Sequence, residues 1–210
     1  MTPLHAIVDV DVAARAGWVP VDLAQAFLDG GARWLQVRAK HLPSGAFLDL
    51  CDDIVRCAAA CDATVVVNDR TDLALACGAA GVHVGQDDLP PAAVRRLLGP
   101  DAVVGYSTHT IAQVDDALQE PVSYIAVGPV FGTSTKATGY DAVGFDLVLA
   151  AAARAGGRAV VAIGGITLER VSEVVAAGAS AVAVIGDLLA TGDPRARTAA
   201  YLQRLSQYRV

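Results

Sequence analysis

Residues 176–185, "AAGASAVAVI", contain the pattern that predicts the fold. An alanine-rich segment typical of a helix end reaches Gly178, and a short apolar run follows at Ala181–Ile185. Glycine at this place supplies the left-handed residue that ends a helix, and the connection from helix to strand in α/β units is short. The same order recurs in "DGGARWLQVR" at residues 29–38 and in "ACGAAGVHVG" at residues 76–85. The repeat therefore indicates helices and strands that alternate along the chain.

Eight apolar runs separate longer segments of helical periodicity. Because these runs are continuously apolar, they are typical of parallel strands covered on both faces. The predicted strands are Leu4–Val8, Trp34–Val37, Thr64–Val67, Gly81–Val84, Ala102–Gly105, Tyr124–Val127, Ala159–Ile163 and Ala181–Ile185.

Eight units of about 26 residues predict a closed (β/α)8 barrel, the TIM barrel, slightly smaller than is usual. An open doubly wound sheet is the alternative. Eight strands rather than five or six, and no GxGxxG after the first strand, favour the barrel. No linker rich in proline, serine or charge divides the chain, so residues 1–210 are expected to form a single domain.

Composition excludes several classes of partner. The chain has 54% hydrophobic and 18% charged residues and a net charge of −6. No basic block is present, which argues against nucleic acid, and no apolar run is long enough to span a membrane. Without a secretory signal the expected location is the cytoplasm, where the four cysteines are expected to be reduced core residues. The oligomeric state stays open, a homo-oligomer included.

In a (β/α)8 barrel, chemistry lies at the carboxyl ends of the strands. In "LQVRAK", a period of two directs Gln36, Arg38 and Lys40 to one side, where an amide and two cations would suit an anionic or heteroaromatic ligand. The alternative is that Arg38 and Lys40 bind no ligand and only extend their long side chains to solvent at a polar strand edge.

Acidic residues follow the next two strands. Asn68 and Asp69 end the third, and Asp87 and Asp88 follow the fourth. Each acid alone could cap a helix. Together, Asp69 and one of the later pair end adjacent strands, so two carboxylates could share Mg²⁺, which prefers one or two of them plus water and phosphate oxygens.

Later strand ends offer hydroxyls and backbone amides. Ser107 follows the fifth strand and is free to face a ligand, whereas His109 there is expected to be a surface or hydrogen-bonded histidine. Glycine-lined turns after strands seven and eight form the usual phosphate site of this barrel, with Gly165, Ile185 and Gly186 as donors. The loop "VFGTSTKATGYDAVG" at residues 130–144 adds hydroxyls and one lysine.

Six motifs in order resemble the thiamine phosphate synthase family, from Gln36 to Asp187. They are "QVRAK", "NDR", "HVGQDD", "GYSTHT", "GPVFGTSTK" and "AIGGI". The resemblance implies a (β/α)8 transferase that condenses hydroxymethylpyrimidine diphosphate with hydroxyethylthiazole phosphate, giving thiamine phosphate and pyrophosphate with the help of Mg²⁺.

The resemblance also assigns residues. The pyrimidine diphosphate positions are Gln36, Arg38, Lys40, Asn68, Ser107 and Lys136, of which Arg38, Lys40 and Lys136 would assist catalysis. The magnesium positions are Asp69 and Asp88, in preference to Asp87. The thiazole phosphate positions are Thr133, Thr135, Gly165, Ile185 and Gly186.

Two alternatives share the scaffold. A thiazole tautomerase-like paralogue resembles the chain in "AIGGI" but tends to lose the acidic pair and the Thr-x-Thr-Lys. A non-catalytic thiamine-precursor-binding protein would need no intact pair. Because Asp69 and Asp88 are present, both alternatives are disfavoured.

Overall fold

Eight parallel strands close into a barrel in chain order, as the sequence predicts. A computed structural model, which describes residues 2–132 and 141–208, pairs each strand with the next and β8 with β1. The strands are β1 (Leu4–Asp9), β2 (Trp34–Arg38), β3 (Thr64–Asn68), β4 (Gly81–Val84), β5 (Val103–Thr108), β6 (Tyr124–Val127), β7 (Ala159–Ile163) and β8 (Ala181–Val184).

Helices follow the strands and pack against the outside of the barrel. They are α1 (Val10–Arg15), α2 (Pro20–Asp29), α3 (Ser44–Ala59), α4 (Thr71–Ala76), α5 (Pro91–Leu98), α6 (Ile111–Ala117), α7 (Gly144–Arg154), α8 (Val171–Ala176) and α9 (Pro194–Ser206), with a 3-10 helix at Gly186–Leu189. In the part of the chain described, no helix is long and apolar enough to cross a membrane.

Two apolar layers stabilise the barrel, because successive residues on a strand point to opposite faces. On β2, Leu35 and Val37 belong to the outer layer, between the strands and the helices. Trp34 belongs to the inner layer, which fills the barrel lumen together with Val66 and Tyr124. The lumen is therefore a packed core that supports the carboxyl end of the strands.

Three features differ from the sequence prediction. The 3-10 helix and α1 were not predicted, and β5 runs on to Thr108 rather than ending at Gly105. Ser107 is consequently part of a strand and not of the loop that follows it. The four cysteines are free thiols, two buried and two half-buried, in agreement with their prediction as core residues.

Candidate active site at the carboxyl end of the barrel

A cavity of about 440 Å³ opens at the carboxyl ends of the strands. Its lining contains seven of the residues predicted to bind substrate, namely Gln36, Arg38, Asn68, Ser107, Gly165, Ile185 and Gly186. Thr133, Thr135 and Lys136 lie outside the described residues. The cavity has the size of a small-molecule site and lies where barrels of this type carry their chemistry.

Arg38 is held inside this cavity by a carboxylate that the sequence analysis missed. Asp9 is the β1 partner of Arg38 on β2, and the two side chains form an ion pair. The side chain of Asp9 is 1% exposed and that of Arg38 is 11% exposed. Because both charges are withdrawn from water, each depends on the other. The sequence could have indicated this pair, because Asp9 and Arg38 are opposite charges at the ends of the first two strands.

Gln36 and Asn68 form one hydrogen-bonded amide pair across β2 and β3. Gln36 Nε2 donates to Asn68 Oδ1 at 2.8 Å, and both side chains are buried. With these two atoms engaged, Gln36 Oε1 remains as an acceptor and the Asn68 amide as a donor on the cavity wall.

A cluster of charges lies beside the cavity at the ends of β3 and β4. Lys40 pairs with Asp69, whose backbone has a φ of 65°, a conformation that is uncommon outside glycine. Burial raises the pKa of Asp88, the Gly85 N–H at 2.7 Å acts in the opposite direction, and the neighbouring Asp69 carboxylate raises this pKa further. The side chains of Asp69 and Asp88 are therefore adjacent.

Neither acid caps a helix. The residue before α4 is Arg70, and the residue before α5 is Pro90. The capping alternative is therefore wrong for Asp69 and Asp88, while Asp87 is exposed. In residues 2–132 and 141–208, no group of three or more His, Cys, Asp or Glu side chains forms a metal cage. Two facing carboxylates fit a hard cation that takes its other ligands from water and substrate.

Three side chains form a buried chain of hydrogen bonds that runs from the barrel lumen to the cavity, where His83 and Ser107 are lining residues. Tyr124 Oη lies 3.0 Å from His83 Nδ1, and His83 Nε2 lies 2.8 Å from Ser107 Oγ. Gly105 leaves the space for this chain, because a Cβ there would lie 2.2 Å from Tyr124 Cζ and 2.5 Å from His83 Nδ1. Sequence reasoning found Ser107 but missed the other two.

Glycine-rich turns form the opposite wall of the cavity. Gly165 has a φ of 60°, and a Cβ there would lie 2.6 Å from the carbonyl oxygen of Gly132. This turn therefore packs against the peptide of Gly132, which precedes the undescribed segment. His109 also lines the cavity, with Nδ1 donating to the Gly128 carbonyl at 2.5 Å. It is a hydrogen-bonded histidine, one of the two alternatives that the sequence left open.

Asp187 joins the glycine turns to the helix layer. Its Oδ2 accepts hydrogen bonds from Leu168 N–H at 3.1 Å, Arg197 Nη2 at 2.8 Å and Tyr201 Oη at 2.6 Å. The sequence analysis used Asp187 only as the last residue of the resemblance. The partners of Asp187 lie 10 to 19 residues away in sequence, so no local pattern reveals them.

The fold and this cavity define the class of protein: a (β/α)8 barrel with a small-molecule site at the carboxyl ends of its strands. Comparison with known proteins narrows the class. The sequence profile of the family described as "Thiamine monophosphate synthase" matches residues 7–188. The chain belongs to the thiamine monophosphate synthase family.

Three relatives illustrate the similarity. The chain is 47% identical over 180 residues to a thiamine-phosphate synthase of Anaeromyxobacter dehalogenans, covering 86% of this chain and 80% of the relative. It is 41% identical over 204 residues to a thiamine-phosphate synthase of Koribacter versatilis, covering 96% and 95%. The solved structure of a thiamine phosphate pyrophosphorylase from Pyrococcus furiosus superposes with a TM-score of 0.87 at 26% identity, covering 97% of this chain and 95% of that one.

Proposed function

We infer that this protein is a thiamine-phosphate synthase. This transferase joins hydroxymethylpyrimidine diphosphate to hydroxyethylthiazole phosphate and releases pyrophosphate. The observation that carries the inference is the match of the family profile over residues 7–188, and the names of the relatives agree with it. We further propose that the reaction takes place in the cytoplasm; a homo-oligomer stays a prediction.

We propose that the cavity divides the two substrates between its walls. Gln36, Asn68 and Ser107 would hold the pyrimidine ring, and Arg38 and Lys40, with Lys136, its diphosphate. The backbone N–H groups of Gly165, Ile185 and Gly186, with the hydroxyls of Thr133 and Thr135, would hold the thiazole phosphate. This division is supported by the cations and amides on the β2 and β3 side and by the glycine turns on the β7 and β8 side.

We propose Mg²⁺ as the cofactor, held by Asp69 and Asp88. A divalent cation there would neutralise charge on the diphosphate leaving group. The proposal is supported by the interaction between the two carboxylates, because a cation between them would offset the repulsion that contributes to the raised pKa of Asp88.

The residues present fit a reaction without a protein nucleophile. If the bond from the pyrimidine methylene to diphosphate breaks first, the chain has to stabilise a departing anion and align the thiazole nitrogen with the carbon left behind. Arg38 and Lys40 supply positive charge at the cavity and at its edge, and the two walls hold the reactants in one small volume.

The activity is tested by incubating the purified protein with both substrates and Mg²⁺. Thiamine phosphate and pyrophosphate are expected in equal amounts. Isomerisation of the thiazole phosphate without any consumption of the pyrimidine would instead support the tautomerase-like alternative, and binding of both substrates without product would support a precursor-binding protein.

The metal site is tested with Asp88→Asn. Losing one carboxylate of the pair is expected to lower turnover by at least about 100-fold, because charge on the leaving group is no longer offset. Mg²⁺ should raise the Tm of the wild type, since a ligand that binds the native state stabilises it, and should not raise that of the variant. Acidification should weaken Mg²⁺ binding at a higher pH than for an ordinary aspartate, because the pKa of Asp88 is raised and only its carboxylate form binds.

Asp87→Asn is the matched control for this experiment. Asp87 is exposed and adjacent in sequence, so the same change should leave both turnover and the Mg²⁺ effect on Tm unaltered. Near-normal turnover of Asp88→Asn with Mg²⁺ would contradict the assigned role.

A further inference from the structure

The hydrogen bonds from Tyr124 through His83 to Ser107 have a direction that can be argued from the burial of Tyr124. His83 has two ring nitrogens, and in the neutral ring one donates and the other accepts. Whether Nε2 donates to Ser107 depends on whether the Tyr124 hydroxyl donates to Nδ1 or accepts from it. The role of Tyr124, inside the barrel, therefore sets the donor and acceptor roles of His83 and Ser107.

Tyr124 has to be the donor of its hydrogen bond. Its side chain is 1% exposed, and burial raises the pKa of its hydroxyl, so the proton stays on the oxygen. Within the described part of the chain, the hydrogen-bond partner of Tyr124 Oη is His83 Nδ1, at 3.0 Å. A buried hydroxyl that fails to donate leaves a desolvated N–H or O–H group unsatisfied, which is costly. Tyr124 therefore donates, and His83 Nδ1 accepts.

The tautomer of His83 follows. With Nδ1 as an acceptor, the proton of the neutral ring is on Nε2, which donates to Ser107 Oγ at 2.8 Å. Ser107 accepts this hydrogen bond and cannot return its own proton to the same nitrogen. Ser107 is 6% exposed and lines the cavity, so its O–H, which is not needed by His83, is available to donate into the space where a ligand would lie.

We propose that Tyr124 and His83 are positioning residues that fix Ser107 as a hydrogen-bond donor to the substrate ring. The consequence is specificity: the ring atom that meets Ser107 has to be an acceptor, an unprotonated nitrogen and not an N–H. This inference rests on the proposed function for the identity of the ring.

The opposite amide pair supplies the complementary group. Because Gln36 Nε2 donates to Asn68 Oδ1, Gln36 Oε1 is the atom left to accept. The cavity thus presents one fixed donor and one fixed acceptor from neighbouring strands. An aminopyrimidine has the matching pair, an amino group that donates and a ring nitrogen that accepts. In the oxo form of the same pyrimidine both roles are reversed, because the ring nitrogen becomes an N–H donor and the exocyclic group becomes a carbonyl acceptor.

The tautomer is tested directly by 15N NMR on protein labelled at histidine. The nitrogen shifts and the couplings to carbon-bound ring protons distinguish a protonated from an unprotonated nitrogen. His83, assigned by comparison with His83→Gln, is expected to carry its proton on Nε2 at neutral pH in the wild type. A proton on Nδ1, or on both nitrogens, would overturn the proposal. This measurement needs no substrate, so its outcome is independent of the proposed function.

The effect on specificity is tested with Tyr124→Phe, which keeps the ring and removes the hydroxyl. The KM for hydroxymethylpyrimidine diphosphate is expected to rise about tenfold, and the preference over its 4-oxo analogue to fall by at least the same factor. The KM for the thiazole phosphate should change less than twofold. Tyr201→Phe, which removes a buried hydroxyl that bonds to Asp187 from α9, is the control and should leave the preference between the two pyrimidines unchanged.

A double-mutant cycle separates positioning from a general structural effect. If Tyr124 acts through Ser107, Tyr124→Phe should change the KM for the pyrimidine by less than about twofold in a Ser107→Ala background. The same tenfold loss in both backgrounds would show that Tyr124 does not act through Ser107 and would overturn the proposal. An unstable Tyr124→Phe would leave the NMR measurement on the wild type to decide.

Discussion

At the scale of the single residue, Asp9 contacts both the cavity-lining Arg38 and the first turn of α1. Its Oδ2 pairs with Arg38, and its Oδ1 accepts a hydrogen bond from the backbone N–H of Val12 at 2.9 Å, which caps α1. One carboxylate thus orients the guanidinium that is proposed to meet the diphosphate and begins the helix that follows β1. Arg38 can remain charged inside the cavity because this partner is fixed there.

Asp9→Asn is expected to disturb Arg38 more than the helix. An amide oxygen can still cap α1, but the buried guanidinium loses its counter-charge, so the free energy of unfolding should fall by about 3 kcal/mol. The KM for the pyrimidine diphosphate should rise, while the KM for the thiazole phosphate stays within twofold. Urea unfolding and steady-state kinetics measure the two effects.

Asp11→Asn is the control, because Asp11 lies on the same helix with a side chain that is 42% exposed. Its substitution should change stability by less than about 0.5 kcal/mol and leave both KM values unaltered. Equal losses in the two variants would show that the Asp9–Arg38 pair contributes no more than an exposed carboxylate does.

Sequence reasoning succeeded at single residues where a local pattern carries the information. The period of two in "LQVR" placed Gln36 and Arg38 together on the inner face of β2, and both line the cavity. It failed for Asp9 and His83, because their importance depends on which residue lies across the sheet. Asp9 opposes Arg38 in the β1–β2 register, and His83 opposes Gly105 in the β4–β5 register.

At the scale of secondary-structure elements, the β7 and β8 turns are held by α9. Arg197 and Tyr201 lie on α9 and both bond to Asp187 in the 3-10 helix, which in turn accepts the N–H of Leu168 after β7. Burial, together with the Asp187 carboxylate, raises the pKa of Tyr201, which therefore remains a donor. This arrangement fixes the separation of the two turns proposed to bind the thiazole phosphate.

Asp187→Asn is expected to make the distance between the turns after β7 and β8 less well defined. The amide keeps the shape but loses the charge that pairs with Arg197, so the KM for the thiazole phosphate should rise by about tenfold or more. The KM for the pyrimidine diphosphate should stay within twofold, because the wall proposed to hold it is built from β2 and β3. Asp193→Asn, which keeps a side-chain oxygen for the exposed cap of α9, should change stability by less than about 0.5 kcal/mol and leave both KM values unaltered. A larger change in the KM for the pyrimidine would contradict this assignment.

Elements with a strong apolar period were predictable, and short or polar ones were not. All eight strands were found within a few residues, because their continuous apolar runs need no partner to be recognised. The end of β5 was missed because Ser107 and Thr108 are polar, although both are buried in the barrel wall. The six residues of α1 and the four of the 3-10 helix are too short to show a helical period.

At the scale of the whole molecule, the lumen contains aromatic rings that connect the amino end of the barrel to the cavity. His5 stacks on Trp34 with 4.4 Å between ring centroids, and Tyr124 contacts both rings edge-on. Tyr124 in turn stacks on His83 at 5.6 Å. The closed order of the strands was predictable from eight repeats. The identity of the rings that meet inside the barrel was not, because they come from β1, β2, β4 and β6.

This lumen makes the stability of the whole barrel sensitive to acid through His5. Burial, followed by the nearby His83, lowers the pKa of His5 to about 3 from its usual 6.5. Below pH 6.5 the unfolded chain therefore binds a proton that the folded chain does not, and stability falls as the pH falls. From neutral pH to pH 4.5 the loss due to this one group is about 2.5 kcal/mol.

His5→Phe should remove this dependence, because phenylalanine can stack on Trp34 and does not titrate. At pH 7.5 we expect its free energy of unfolding to lie within about 1.5 kcal/mol of the wild type, as for other swaps of similar volume. Denaturant unfolding at several pH values should then show that the free energy of unfolding of the variant, relative to that of the wild type, increases steadily as the pH falls to 4.5. His41→Phe changes a histidine whose side chain is 82% exposed and should retain the wild-type acid sensitivity. A constant difference between His5→Phe and the wild type across this range would mean that His5 is protonated inside the folded barrel.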